Sequence, residues 1–468
     1  MEIDFKKEAE KLGDDLIKDL TTLINIDSVR DDEHKTTDFP LGPGPAKALN
    51  QVLAFGARDG FITKNVENMA GHIEYGSGDE ILGILGHVDV VPAGEGWNTD
   101  PFNATIKDGK IYGRGSSDDK GPSLAAYYGL KLIKDLKLPV SKKVRFIFGT
   151  DEESNWEGIN KYLEVEQTPD YGFSPDAEFP LINGEKGIVT FKITFNQSNE
   201  QKVIIKSFKS GIRVNMVPQT ASVILDVNNI DANKVREEFS TFVSKNQLSG
   251  DIIAKNDDLT LVLNGKGSHA MDPSKGINAA TYLASFINTL ELNEKESNYF
   301  SFINNKLHLD FIGEKLGINF SHDIMGPLSS SPDIYDYDAN KDASTILVNV
   351  RYPEGKSDQD LVSLIQNTLP SMATVQVDGH AQPPHFVSAD DKLVKTLVET
   401  YRDYYDDNSE PITIGGGTYG RILDRGVAFG GMFPGRENVM HQPNEYIIIE
   451  DLLLLIAIYA DAIYRLIK

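Results

Sequence analysis

The chain reads as an α/β protein in two domains. One is a mostly parallel sheet with helices on both faces, built from both ends of the chain; the other is an α+β domain inserted within it. Three observations lead there. Two buried-strand patterns, residues 81–91 and 144–148, flank a helical pattern carried by Leu124, Tyr128, Leu132, Ile133 and Leu136, and strand, helix and strand with short connections is the grammar of parallel pairing. From about Gly187 the texture changes to strands that are half polar. After a Pro-rich break at Gln382-Pro383-Pro384-His385 the helix–strand alternation of the first third returns. The first domain is therefore assigned to residues 1–186 with 385–468, and the insertion to 187–384.

Along the chain, Phe5, Ala9, Leu12, Leu16, Leu20 and Leu23 recur at helical spacing among Lys, Glu and Asp, which predicts an amphipathic surface helix rather than a secretory leader. The strand at 81–91 carries His87 and Asp89 at its far end. Residues 111–120 form a Gly-rich loop, and the strand at 144–148 runs into Gly149-Thr150-Asp151-Glu152-Glu153. In parallel sheets ligands gather at the carboxyl ends of the strands, where these polar residues fall. In the insertion, 188–195 and 203–205 are strand-like. Segments 223–227 and 346–350 are each followed by a polar turn and an amphipathic helix pattern, so the insertion is expected to contain two similar subdomains. Residues 412–414 read as a strand before a glycine run. Residues 452–460 read as a buried helix, too short to span a bilayer and cut by Asp461.

A chain of 468 residues is long enough for two or three domains and a full hydrophobic core. It has no cysteine, which excludes disulfide scaffolds, thiol nucleophiles and thiolate-held metals. Any metal must sit on His nitrogens and carboxylate oxygens. With 70 acidic against 46 basic residues, the net charge is −24. Such a chain repels phosphate backbones and anionic membranes. No nucleic-acid or membrane partner is expected, and a cytoplasmic location is.

Nine histidines are few enough to weigh singly. His34, His72, His308, His322, His380 and His385 lack patterned acidic or glycine-rich surroundings and read as surface or loop residues. His87, His269 and His441 differ. On a strand, positions i and i+2 point to one side, so Asp89 lies beside the His87 ring, where a carboxylate can fix the tautomer and leave the other nitrogen for a metal. Asp118 and Asp119 are adjacent in the Gly-rich loop. Glu152 and Glu153 follow the second buried strand, where one acid can hold a metal while the next takes a proton from water. Asp176, in Ser174-Pro175-Asp176, and His441, in Met440-His441-Gln442-Pro443-Asn444-Glu445, complete the set. Each alone has an ordinary explanation: a paired histidine at a strand end, a turn, a solvated acidic loop. Together they supply the hard coordination that suits paired Zn²⁺, Mn²⁺ or Co²⁺, and two such ions can share and acidify a water.

The blocks GHVDVVPAGEGW, IYGRGSSDDKGP, GTDEES, SPDAEFP and MHQPNE resemble the M20 family of two-metal peptidases and deacylases, and most closely its bacterial PepV-type branch, which cleaves unblocked dipeptides, carnosine-like ones included. The resemblance runs nearly end to end. It implies that His87, Asp176, Glu153 and His441 are terminal ligands of two divalent ions, Zn or Mn with Co as an option. Asp118 would bridge them, followed by a cis peptide, with Asp119 as the runner-up. Glu152 would be the general base and Asp89 the acid that orients His87. The insertion would be a lid whose His269, in Gly265-Lys266-Gly267-Ser268-His269-Ala270, stabilises the oxyanion. Asn215 and Arg351 would hold the free carboxylate of a small dipeptide, with Gly415, Gly416 and Gly417 close to the same end. Most two-domain relatives dimerise through a lid half this size, so a doubled lid implies a monomer with His269 acting in cis, and domain closure over the substrate. One departure touches loop shape: Ser154-Asn155-Trp156-Glu157-Gly158 stands where the family has a glycine soon after the paired glutamates. Hydrolysis of unblocked dipeptides by a water that Glu152 activates is thus expected. An N-acyl-amino-acid deacylase, acting on a succinyl-diaminopimelate or an acetylornithine, is the alternative, and a catalytically silent binding protein the remote one.

Overall fold

The structure, a computed structural model, describes residues 3–196 and 202–468. The chain divides into two compact units: Met1–Gly184 with Phe386–Thr413 and Gly417–Lys468, and Glu185–His385 with Ile414–Gly416.

In the first unit, strands β1 (Ile62–Val66), β2 (Ala70–Gly76) and β3 (Ile81–His87) precede helix α1 (Lys120–Asp135), strand β4 (Lys143–Gly149), helix α2 (Glu157–Val165) and strand β5 (Tyr171–Ser174). They lie in the order β1-β2-β4-β3-β5, continued by Gly426–Ala428 and Ile182–Glu185. The centre is parallel: β4 with β3, β3 with β5, and β5 with Gly426–Ala428. The pairings outside it, β1 with β2, β2 with β4 and Gly426–Ala428 with Ile182–Glu185, are antiparallel. The two-residue period of a strand sends side chains to both faces. Ile84, Val144, Phe146 and Phe148 join Leu124 and Tyr128 of α1 and the C-terminal helix Ile449–Ile467 in the main core. Leu85 and Ile147 turn the other way, onto Ile159 and Tyr162 of α2. Each fully buried side chain of this size contributes roughly 1.5–3 kcal/mol. The C-terminal helix lies so close to α1 that a Cβ on Gly129 would stand 2.8 Å from the Ala460 nitrogen.

Three expectations need correction. The first strand ends at His87, short of Val91, because its neighbour β4 ends at Gly149, the residue opposite His87. Val88 N–H takes the last bond, to Gly149 O, and Val90 N–H turns to Ser28 O. The N-terminal pattern forms two helices, Phe5–Glu10 and Gly13–Ile24. Its apolar face, Phe5, Ala9, Leu16, Leu20 and Leu23, is buried in the main core. His72 is neither a surface nor a loop residue. It lies within β2, is buried, and its Nδ1 is 2.7 Å from the Tyr162 hydroxyl; burial, with the Arg145 charge, lowers its pKa to about 4.

The second unit is an antiparallel sheet of β6 (Gly187–Asn196), β7 (Ile205–Ser210), β8 (Thr220–Asp226), β9 (Ser249–Lys255), β10 (Asp258–Asn264), β11 (Ser329–Asp338), β12 (Ala343–Tyr352) and β13 (Ala373–Val377). Its order is β9-β10-β8-β7-β11-β12-β6-β13. The β7–β11 pair lies at its centre. In each half one strand, β8 or β12, leads through a helix, Ala232–Lys245 or Asp358–Gln366, to the outermost strand, β9 or β13. The segments that looked alike in sequence fall at equivalent places, 223–227 on and just past β8 and 346–350 on β12. Among the described residues, no helix is long and apolar enough to cross a membrane.

Candidate metal centre

The carboxyl ends of the parallel strands assemble the first group of candidates. β3 ends on His87, β4 leads into Glu152 and Glu153, β5 leads to Asp176, and the loop before α1 supplies Asp118. His441 comes from the loop that precedes the C-terminal helix and has a left-handed backbone, φ 62°.

Asp118 stands between the two imidazoles. Its Oδ1 is 3.2 Å from His87 Nε2 and its Oδ2 is 2.9 Å from His441 Nε2. Asp176 Oδ2 lies 3.6 Å from His87 Nε2, and Glu153 Oε1 lies 2.8 Å from His441 Nε2. Each imidazole thus faces one oxygen of Asp118 and one further carboxylate, and ligand atoms of His87, Asp118 and Glu153 also fall within 4.8 Å of one another. A carboxylate oxygen of Glu152 lies with a ring nitrogen of His87 and a carboxylate oxygen of Asp176 inside a 4.8 Å cluster. The Asp118–Asp119 peptide is cis. Asp119 faces elsewhere: its Oδ2 accepts from Ser123 Oγ at 2.6 Å and from the His87 N–H at 3.2 Å.

Because β3 stops at His87, Asp89 is not placed as a strand residue would be. His87 Nδ1 meets the Asp89 main-chain oxygen at 3.1 Å, with the carboxylate at 3.4 Å. That carboxylate accepts from the Glu152 and Glu153 amides, both at 3.1 Å, and so fixes the turn that presents the two glutamates. Asp151, the first acid of the run, is buried and caps α2, accepting from Glu157 N at 2.6 Å and Gly158 N at 3.0 Å. Trp156 takes a left-handed φ of 60°, a conformation that costs glycine least. Its indole anchors the turn by donating to Glu152 O at 2.8 Å and packing edge-on to Tyr419.

Electrostatically the group is set for cations. Burial disfavours charge on His87, yet Asp118, Asp176 and Asp89 hold its pKa well above the ordinary value. Burial likewise opposes His441, and hydrogen bonds to Asp118 and Glu153 lift it to about 11. Burial pushes Glu152 well above the carboxylate range. Burial, then repulsion from Asp118, raises Glu153 to about 7 and also raises Asp176. Asp118 is the exception: burial is outweighed by the two imidazoles, which hold it far below its usual value. His87 Nε2 is buried, and its contacts lack the geometry of a hydrogen bond. A buried orphan nitrogen among nitrogen and oxygen donors fits divalent cations of the zinc and manganese kind.

The second unit gathers its own candidates. Met216 and His269 form an isolated bridge, and Ala270 N–H donates to Asn215 O at 2.9 Å. His269 Nδ1 accepts from the Met271 N–H at 3.1 Å, which leaves the neutral ring's proton on Nε2. Arg351 donates through Nε to Asn349 Oδ1 at 2.9 Å and through Nη1 to Gly415 O at 3.0 Å. A Cβ on Gly415 would stand 3.1 Å from Met271 Cβ. Asn215, His269, Arg351 and Gly415 are thus joined within one unit, which also holds Gly416, while Gly417 belongs to the first.

Sequence reasoning passed over Arg114, Ser117 and Glu445. Glu445 is fully buried and accepts from Arg114, Gly115, Ser117 and Asp118. All four residues lie inside blocks already singled out; what hid Glu445 was the long separation from its partners.

The model of peptidase family M20/M25/M40 matches residues 83–465. A Beta-Ala-Xaa dipeptidase from Lactobacillus delbrueckii subsp. lactis is 43% identical over 470 residues, covering 100% of this chain and 99% of the relative. Human carnosine dipeptidase 1 shares the fold at 16% identity and TM-score 0.55, with 98% of each chain covered. A dinuclear metal-binding peptidase of the M20 family from Bacillus subtilis does so at 12% identity and TM-score 0.53, covering 98% of this chain and 99% of that one.

Proposed function

The chain belongs to peptidase family M20/M25/M40, and from that premise we propose that it is a two-metal dipeptidase acting on unblocked dipeptides, Xaa-His compounds of the carnosine kind included. The observation that carries the proposal is the Asp118 carboxylate, which offers one oxygen to each imidazole while Asp176 and Glu153 flank them. His87, Asp176 and Asp118 would hold one ion, and His441, Glu153 and Asp118 the other. Two divalent ions held there, Zn²⁺ or Mn²⁺, would supply Lewis-acid polarisation of the scissile carbonyl and a lowered pKa for a nearby water.

Glu152 takes the proton from the attacking water as its oxygen adds to the carbonyl carbon, and returns it to the amine nitrogen as the C–N bond breaks. The burial that raises the Glu152 pKa suits a group that must both accept and release a proton. His269, with its proton on Nε2, donates to the oxyanion. Arg351, steadied by Asn349 and Gly415, pairs its planar fork with the substrate's free carboxylate, with Asn215 and the segment Gly415-Gly416-Gly417 at the same end. We further propose a cytoplasmic monomer, with residues 1–186 and 385–468 as catalytic domain and 187–384 as lid. The strand–helix–edge-strand connection repeated in both halves of the second unit's sheet supports a doubled lid that replaces a partner subunit. A mass in solution near 51.7 kDa is expected, and a mass twice that would contradict it.

The activity is tested by following amino-acid release from a free dipeptide and from its N-acetylated twin, using chelator-stripped chain reloaded with Zn²⁺ or Mn²⁺. Metal-dependent cleavage of the free compound alone is the expected result. Cleavage of the blocked compound alone would make the protein a deacylase, and cleavage of neither would leave a binding role.

A further inference from the structure

Two of the candidate ligands differ in how the fold holds them. His87 is the last residue of a central strand and is buried, whereas His441 lies on an irregular loop and is half exposed. The link between that loop and the bridging acid is a buried ion pair that the reaction itself does not use. Glu445 Oε1 accepts from Ser117 N at 2.9 Å, Ser117 Oγ at 3.0 Å and Asp118 N at 3.2 Å. Its Oε2 accepts from Arg114 Nη1 at 2.7 Å and Gly115 N at 3.2 Å. The Arg114 guanidinium is also buried. It donates to the main-chain oxygens of Ala93 at 3.1 Å, Gln442 at 3.3 Å, and Pro92 and His441 at 3.4 Å, and it lies 5.2 Å from the Trp97 ring. Asn444 adds a second tie, accepting from Asn98 N at 2.7 Å. One carboxylate thus grips the loop that aims Asp118, and its partner arginine grips the backbone of His441 itself.

We propose that Glu445 and Arg114 are positioning residues that set His441 against Asp118, and that they therefore govern occupancy of the His441–Glu153 half-site more strongly than that of the His87–Asp176 half-site, which shares only Asp118 with them. The inference rests on the two-ion assignment above. A planar fork with several donors is what the task requires, because one group must satisfy carbonyls from two chain segments and a carboxylate at once. Loss of a partner behind the ligands typically weakens metal binding about 10–100-fold.

The test is a calorimetric titration of Zn²⁺ into the chelator-stripped full chain, with bound metal counted after gel filtration. Wild type should take up two ions. Glu445→Gln should bind one ion about 10–100-fold more weakly and the other, which shares only Asp118, more weakly by a smaller factor. Added to His441→Ala, it should weaken the remaining ion by that smaller factor alone. A purely structural role would instead weaken both ions to the same extent; a lower unfolding temperature is expected under either role, because the change leaves a buried guanidinium without its carboxylate. Arg114→Lys, which keeps the charge but loses the fork, should reproduce the unequal loss and serves if Glu445→Gln does not fold. Two ions bound with unchanged affinities in the variants, or equal weakening of both, would overturn this inference alone. A wild-type chain that takes up a single ion would overturn the two-ion assignment and this inference with it.

Discussion

Replacing Asp89 with Asn is expected to disturb the glutamate turn more than the His87 ring. The ring nitrogen Nδ1 bonds to the main-chain oxygen of residue 89, which the substitution leaves in place. The carboxylate, by contrast, accepts two amides, Glu152 N and Glu153 N, both at 3.1 Å. An asparagine offers one acceptor oxygen and turns an NH₂ toward the other amide, so one charge-assisted bond is lost in a buried place. Bonds to charged groups contribute about 1.5–3 kcal/mol each, so the metal-free chain should lose about 2 kcal/mol of stability. Because the turn presents both the proposed base and a proposed ligand, metal affinity should fall about 10–100-fold and kcat should fall with it. Urea unfolding of the stripped chain, Zn²⁺ titration and dipeptide turnover would measure the three. Wild-type stability together with turnover within twofold would refute the assignment of this carboxylate to the turn.

Other outcomes follow from the same geometry. Glu152→Gln should lower kcat by about 10²–10⁴-fold with metal content retained, and loss of metal alongside activity would contradict its role as base. Gly86→Ala would place a Cβ 1.9 Å from Ser123 Oγ and 3.0 Å from Asp119 Oδ2. It should destabilise the chain by about 1–3 kcal/mol, and unchanged urea unfolding would show that the strand end can shift. Asp333 is buried on β11, bonded to Ser331 through one oxygen and unpartnered at the other, and burial raises it from 3.8 to about 8. The folded chain therefore keeps a proton that the unfolded chain releases above pH 3.8. Stability from this group is present below that pH and declines as pH rises toward 8, by up to about 1.4 kcal/mol per pH unit. Asp333→Asn should remove that decline in urea unfolding between pH 5 and 8, and an identical slope in the variant would refute it.

Much of the first unit was legible because its signals are local. Period-two and period-3.6 patterns place β3, α1 and β4, and the rule that parallel sheets bind at their carboxyl ends directs attention to His87, Glu152 and Glu153. The end of β3 was not legible, since it depends on where the neighbouring strand stops, and Val88, Val90 and Val91 continue the apolar run past it. The same limit applies to His72, whose burial comes from a helix far along the chain that brings Tyr162. Within the site, the motif blocks identify which acids matter but not what each one faces. Asp89 and Asp151 look alike in sequence; one holds the glutamate turn and the other caps a helix. Glu445 illustrates the hardest case, a carboxylate whose donors lie over three hundred positions earlier.

The most direct test of the central claim, two ions sharing Asp118, is anomalous diffraction from a crystal of the metal-loaded chain at the edge of the added metal. Two peaks are expected, one beside His87 and Asp176 and the other beside His441 and Glu153, with the Asp118 carboxylate between them. A single peak, or two peaks with Asp118 turned away from both, would contradict the claim.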